Sequence, residues 1–259
     1  MRYLKPIFLA LVVSGLLNGC SKTTHLVQSN LWVQNSGEYR ALAFQAFNTA
    51  KWRLDDLLQR AKFAKPPCIV LDLDETCLDN SPYTGYQIKE NKGYTTESWQ
   101  AWTSLAEADS IPGSVSFLKW ADTKVDIFYI SNRRVAELDA TIKNMQALGF
   151  PNADKDHVLL RSDESNKEKR REKVEEEHAI VMYFGDNLND FSEMFEKKST
   201  EERHNLVDQN VSAWGTQYII IPNPNYGSWN SAMFDYKRGL KPGEEKKIRM
   251  EHTKAFKPQ

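Results

Sequence analysis

Apolar residues recur at helical spacing over 38–63, where Leu42, Ala43, Ala46, Phe47, Ala50, Leu54, Leu57, Leu58 and Ala61 fall every three or four positions. That spacing predicts a long amphipathic helix. Lys65-Pro66-Pro67 stops it, because proline cannot continue a helix and disfavours helical geometry in the residue before it. The next apolar run, Ile69-Val70-Leu71, is continuous rather than alternating, as expected of a strand covered on both faces. Over 80–112 the periodicity fades into Gly, Pro, Tyr and Trp, with one short helix expected at 97–106, and the stretch reads as an insertion. Beyond it the pattern predicts helices over 114–121, 135–148, 166–178 and 189–197 and strands over 125–130, 158–160, 180–184 and 217–221. Alternation of this kind predicts an α/β fold, a doubly wound and mostly parallel sheet with helices on both faces. The charged run 167–177 reads as a solvated helix face. The charged tail beyond Lys241 reads as frayed or as a surface helix.

Composition adds constraints on partners and place. The 259 residues carry 34 Lys and Arg against 35 Asp and Glu, so no bulk positive field argues for a nucleic acid polymer as partner. At the N-terminus, Arg2 and Lys5 precede an apolar stretch over 7–17 that ends in Leu17-Asn18-Gly19-Cys20. That stretch is shorter than the roughly 18 to 20 residues a membrane span needs. The pattern resembles a bacterial lipoprotein signal peptide over 1–19. In such proteins the cysteine, here Cys20, becomes the first mature residue and carries lipid, palmitate included. Ser21 after it favours the outer membrane over retention at the inner one. The expected organisation is signal peptide (1–19), lipidated cysteine and polar tether (20–32), and one catalytic domain (33–259) with its insertion at about 80–112. Cys68 and Cys77 flank the apolar strand, which would hold them too far apart to bridge, so both are expected as free thiols.

The strand 69–71 runs directly into Asp72-Leu73-Asp74-Glu75-Thr76. In doubly wound sheets ligands bind beyond the carboxyl ends of strands, and two acids crowded there need a cation, a shared proton or a phosphate to handle. Three further strand ends carry polar clusters: Ser131-Asn132-Arg133, Ser165-Asn166-Lys167, and Gly185-Asp186-Asn187-Leu188-Asn189-Asp190. Together they match the parts of phosphoryl transfer. Asp72 is the candidate nucleophile. Mg²⁺ or another divalent cation would take oxygens from Asp72, the backbone carbonyl of Asp74, and Asp186. Asp74 would protonate the leaving oxygen and later deprotonate water, which suggests an acid pH optimum. Ser131, the backbone amide of Asn132, and Lys167 would hold the transferring oxygens. Plainer roles stand beside these: a helix cap for Ser131 and Asn132, a surface position for Lys167, and capping or support of the metal ligands for Asp190. Five scattered histidines offer no ligand pair.

These motifs resemble the haloacid dehalogenase superfamily of phosphatases. More narrowly, the run from Asp72 to Tyr83, the Gly185–Phe191 stretch, the segment from Trp32 to Tyr39 and the lipoprotein start are similar to the bacterial class C nonspecific acid phosphatases, which include the lipoprotein e 5′-nucleotidases. The likeness covers about residues 30–237. It implies a Rossmannoid core with a smaller, largely helical cap built from the N-terminal segment, the insertion and the C-terminal segment. It further implies phosphomonoester substrates, among them 5′-nucleotides such as nicotinamide mononucleotide, with Trp99 and Tyr226 as an aromatic clamp on the base. For the other aromatics of the insertion, core packing is the expected role. Haem and a second copy of the chain stay open as partners, and the rival reading is a surface haem- or solute-binding lipoprotein with secondary phosphatase activity.

Overall fold

A computed structural model describes residues 23–258, so the signal peptide and Cys20 lie outside the described residues. Its helices are α1 (Thr24–Asn35), α2 (Gly37–Arg60), α3 (Ser81–Glu90), α4 (Thr96–Thr103), α5 (Ser114–Ala121), α6 (Leu138–Leu148), α7 (Glu168–Glu175), α8 (Thr200–Gln209), α9 (Ser228–Met233) and α10 (Pro242–His252). The strands are β1 (Pro67–Leu71), β2 (Leu78–Asp79), β3 (Asp109–Ser110), β4 (Asp126–Arg134), β5 (Val158–Arg161), β6 (Ala179–Gly185) and β7 (Tyr218–Ile220). Five strands form one sheet in the order β5-β4-β1-β6-β7, parallel throughout. This is the expected doubly wound α/β architecture, with β1 at its centre.

Side-chain alternation along β1 explains why its sequence is apolar at every position. Ile69 and Leu71 enter the core on one face of the sheet, Cys68 and Val70 the core on the other, so no residue of the strand can be polar without facing apolar neighbours. On the first face lies α2. The Ser36 hydroxyl caps it by accepting the Tyr39 amide at 3.0 Å, and Tyr39, Ala43, Phe47, Ala50 and Leu54 form its buried stripe. The ring of Phe47 stacks 6.1 Å from Phe184 of β6 and 5.6 Å from Phe117 of α5. Cys68 and Cys77 are buried free thiols. Among the described residues no helix is long and apolar enough to cross a membrane.

The insertion is closed at its base by β2 pairing antiparallel with β3, and it carries α3 and α4. The tether expected through residue 32 is helical from Thr24 onward. In α1, Asn30 and Val33 are buried, and Asn30 Oδ1 accepts from Asn225 Nδ2 at 3.1 Å. The helix expected over 189–197 is instead two short 3-10 turns, Leu188–Asp190 and Glu193–Phe195. Local capping accompanies the break: the Asp190 carboxylate accepts the Asn187 amide at 3.0 Å and the Ser192 hydroxyl accepts the Met194 amide at 3.2 Å, so each turn is capped at its own start and the second begins anew at Ser192. The tail contains α10, a surface helix with no buried residue.

Candidate active site

Asp72 follows β1 directly, and its amide still donates to Phe184 O of β6 at 3.0 Å, so the sheet ladder fixes where the side chain leaves. The loop after it is wound tightly, with the amides of Thr76, Cys77 and Leu78 all directed at Leu73 O and Glu75 at φ 60. Asp186 follows β6, the strand on one side of β1, and Ser131 ends the regular pairing of β4, the strand on the other. Lys167 stands just before α7. Two arginines of α7 hold that helix to the site: Arg170 donates to Ser131 O at 2.5 Å and Asn132 Oδ1 at 2.8 Å, and Arg171 to Asp190 O at 3.1 Å.

Carboxylate oxygens of Asp72, Asp186 and Asp190 lie within 4.8 Å of one another. Lys167, itself buried, reaches Asp72 Oδ1 and, at 2.7 Å, Asp190 Oδ1. One ammonium cannot neutralise three carboxylates in a desolvated site, so the donor set fits a divalent cation. Titration behaviour agrees. Burial pushes the Asp72 carboxyl up to about 7, against the pull of Lys167 and with the carboxylates of Asp190 and Asp74 adding to it. Desolvation, followed by Asp190 and Asp72, holds Asp186 well above the usual carboxylate range. Beside them Glu75 is also buried and raised, by desolvation and then by Asp74 and Asp186, and its Oε2 has no hydrogen-bond partner. Asp190 therefore stands closer to the cation position than the sequence suggested, yet both its oxygens are engaged, by Lys167 and by the Asn187 amide, as a supporting group's would be. Gly185 makes room for it: a Cβ there would lie 2.3 Å from Asp190 Cβ.

Asp74 points away from that cluster. Its Oδ1 accepts from Arg133 Nε and Nη2 and from Asn80 Nδ2 at 2.8 to 2.9 Å, while Oδ2 meets Ser131 Oγ at 3.4 Å. Ser131 is no helix cap, since β4 continues through it. Its buried hydroxyl accepts the Arg133 amide at 3.1 Å. Asn132 is exposed and lines the cavity. Arg133, Arg170, Asn80, Gly185 and Asn223, which donates to Asp186 Oδ2 at 2.8 Å, were not among the expected site residues. The Ser-Asn-Arg run was the one available signal for Arg133.

A cavity of about 1150 Å³ opens over these groups. Asp72, Asp74, Asn132, Lys167, Asp186 and Asp190 line its floor side, and its walls come from α1, the insertion and the C-terminal segment, including both Trp99 and Tyr226. Trp99 is half-buried, edge-on to Tyr83 at 5.1 Å between ring centroids, whereas Tyr226 is exposed. The histidines supply no second centre: His157 and His178 flank Phe128 and bond Asp154 and Asp126. Among the described residues the aspartate trio is the one cluster of His, Cys, Asp and Glu placed to hold an ion.

The family model for the HAD superfamily, subfamily IIIB (acid phosphatase), matches residues 19–229. Among solved structures, the class C acid phosphatase from Bacillus anthracis is similar over 92% of this chain and 100% of its own, with 45% identity and a TM-score of 0.88. The crystal structure of that phosphatase with tungstate bound matches to the same extent.

Proposed function

This chain belongs to the acid phosphatases of HAD subfamily IIIB and hydrolyses phosphomonoesters, and from that premise we propose that it acts on 5′-nucleotides, nicotinamide mononucleotide among them, through a phosphoryl group carried on Asp72. The observation that carries this reading is the split between the two acids of the β1 loop. Asp72 faces Lys167 and the other carboxylates, and Asp74 faces Arg133 and Asn80. That division supports attack on phosphorus by Asp72 and proton exchange by Asp74.

Asp72 attacks phosphorus while Asp74 gives a proton to the leaving oxygen. Water then attacks the phosphoaspartate and loses its proton to Asp74, which resets both groups. Lys167, the Asn132 amide and Ser131 receive the transferring oxygens, and the 3.4 Å contact of Ser131 with Asp74 is long enough to leave its hydroxyl available to phosphate. When bound, Mg²⁺ held by Asp72, Asp186 and the Asp74 carbonyl would offset the repulsion between nucleophile and phosphate. Tungstate, a tetrahedral oxyanion like phosphate, is bound in the Bacillus anthracis relative, which supports an oxyanion position here. Trp99 and Tyr226 would stack on the base, and the cavity has room for a mononucleotide. An acylated Cys20 would hold the enzyme at the outer membrane.

Turnover of p-nitrophenyl phosphate with and without EDTA tests the reading, alongside Asp72→Asn. The expected result is loss of activity in both, with Mg²⁺ restoring the wild type and circular dichroism unchanged in the variant. Activity near wild type in Asp72→Asn would sink the nucleophile assignment.

A further inference from the structure

The two oxygens of Asp74 are unequal. Oδ1 faces three N–H donors, Arg133 Nε at 2.9 Å, Arg133 Nη2 at 2.8 Å and Asn80 Nδ2 at 2.9 Å. Oδ2 has the single long contact with Ser131 Oγ. A carboxylate oxygen offers about two lone-pair directions, so three donors leave Oδ1 no place for a proton. The guanidinium itself is held firmly: it is buried, its Nη1 donates to Thr141 Oγ1 at 3.2 Å, and it lies 5.8 Å from the centroid of Trp99. Both N–H groups converge on one oxygen instead of gripping the two oxygens as a fork would.

We propose that Arg133 is a positioning residue for proton transfer: by saturating Oδ1 it makes Oδ2 the one oxygen of Asp74 that gives and takes the proton, and it stops the carboxyl group from turning. The proposal rests on Asp74 as the acid and base. In the first step an Asp72 oxygen forms a bond to phosphorus with its lone pair as the bond between phosphorus and the leaving oxygen breaks; the electron pair of the broken bond stays on the leaving oxygen, which takes the proton from Oδ2. In the second, water adds to phosphorus and gives a proton to Oδ2, and the pair of the breaking phosphorus–Asp72 bond returns to the Asp72 carboxylate. Arg133 stays charged and on Oδ1 throughout, and no further reactant is consumed.

Lysine keeps the charge but not the two-point grip, so Arg133→Lys isolates positioning. Thr141→Val loosens the guanidinium from a site remote from substrate. The measurement is kcat/KM, which in a double displacement stops at formation of the phosphoaspartate, for monoesters running from p-nitrophenyl phosphate to ethyl phosphate. Nitrophenolate leaves with little help, whereas an alkoxide needs the full roughly 10²- to 10⁴-fold of general acid catalysis. Arg133→Lys is therefore expected to lower ethyl phosphate turnover on the order of tenfold more than nitrophenyl turnover, with Thr141→Val tilting the same way by less. Loss by one common factor across all leaving groups, or no loss, would overturn the proposal. Asp74→Asn separates the two layers: no tilt there removes the acid assignment itself and this proposal with it, whereas a tilt in Asp74→Asn without one in Arg133→Lys removes only the role of Arg133. Should Arg133→Lys fail to fold, Thr141→Val decides by the same comparison.

Discussion

Asp72 should make the metal-free protein less stable as the pH rises, and the size of the effect follows from its surroundings. Its carboxyl titrates near 7 in the fold against 3.8 for an ordinary aspartate. Below about pH 4 it is protonated in both folded and unfolded chains and contributes nothing. Between about 4 and 7 the folded state holds a proton that the unfolded state has released, so stability falls with pH across that window and stays lower above it. The difference between 3.8 and about 7 corresponds to about 4 kcal/mol. For a chain of this size that is on the order of 10 °C in Tm. Asp72→Asn removes the titration and keeps the shape; Glu75, raised by desolvation and by carboxylates other than Asp72, remains in both proteins, whereas Asp186, which the Asp72 charge helps to raise, is raised less in the variant and so widens the difference in the same direction. The assay is thermal unfolding by circular dichroism in EDTA from pH 4.5 to 7.5. The wild type should lose roughly 10 °C relative to Asp72→Asn over that range, and Mg²⁺ at pH 7.5 should recover most of it by neutralising the carboxylates. Parallel curves for the two proteins would refute the account of Asp72 as a desolvated anion that a cation must offset.

Gly185→Ala should push Asp190 out of place, since the new Cβ would lie 2.3 Å from Asp190 Cβ, and cost roughly 10- to 100-fold in activity or Mg²⁺ affinity; Mg²⁺ titrations matching wild type would count against the supporting role of Asp190. Trp99→Ala or Tyr226→Ala should weaken kcat/KM for a 5′-nucleotide by about 1 to 3 kcal/mol and barely change ethyl phosphate; equal losses on both would exclude stacking. Cys20→Ser should abolish incorporation of radiolabelled palmitate and release the protein from membranes; label retained in the variant would place the lipid elsewhere, and no label in the wild type would remove it.

The acidic loop after β1, Lys167 and the Gly185–Asp190 run were legible because each follows an apolar strand whose end is fixed by the sheet. What escaped depends on partners far off in sequence. Arg133 meets Asp74 across 59 positions, and nothing in a Ser-Asn-Arg run says which way the arginine turns. The helix α3 was hidden because Ser81, Thr84 and Gln87 share its buried face with Tyr83, so no apolar stripe marks it. In α1 the buried Asn30 is polar for the same reason, its partner being the side chain of Asn225. The helix α8 buries only Arg203, which bonds Asn189 Oδ1 and Phe195 O. A hydrophobic pattern detects burial only where the buried groups are apolar.

The bond between Asn30 and Asn225 spans 195 positions, and it has a consequence for when the enzyme becomes an enzyme. A growing chain can lay down β1 and β4 early, presenting Asp72 and Asp74 while the partner of Asp186, Asn223, and the Tyr226 wall are still unmade. Contacts of such sequence separation form late, because the intervening loop must be closed before they repay its entropy. The hollow framed by α1 and the C-terminal segment is therefore finished only after the last strand is in place. Synthesis yields the acidic loop long before it yields the complete site.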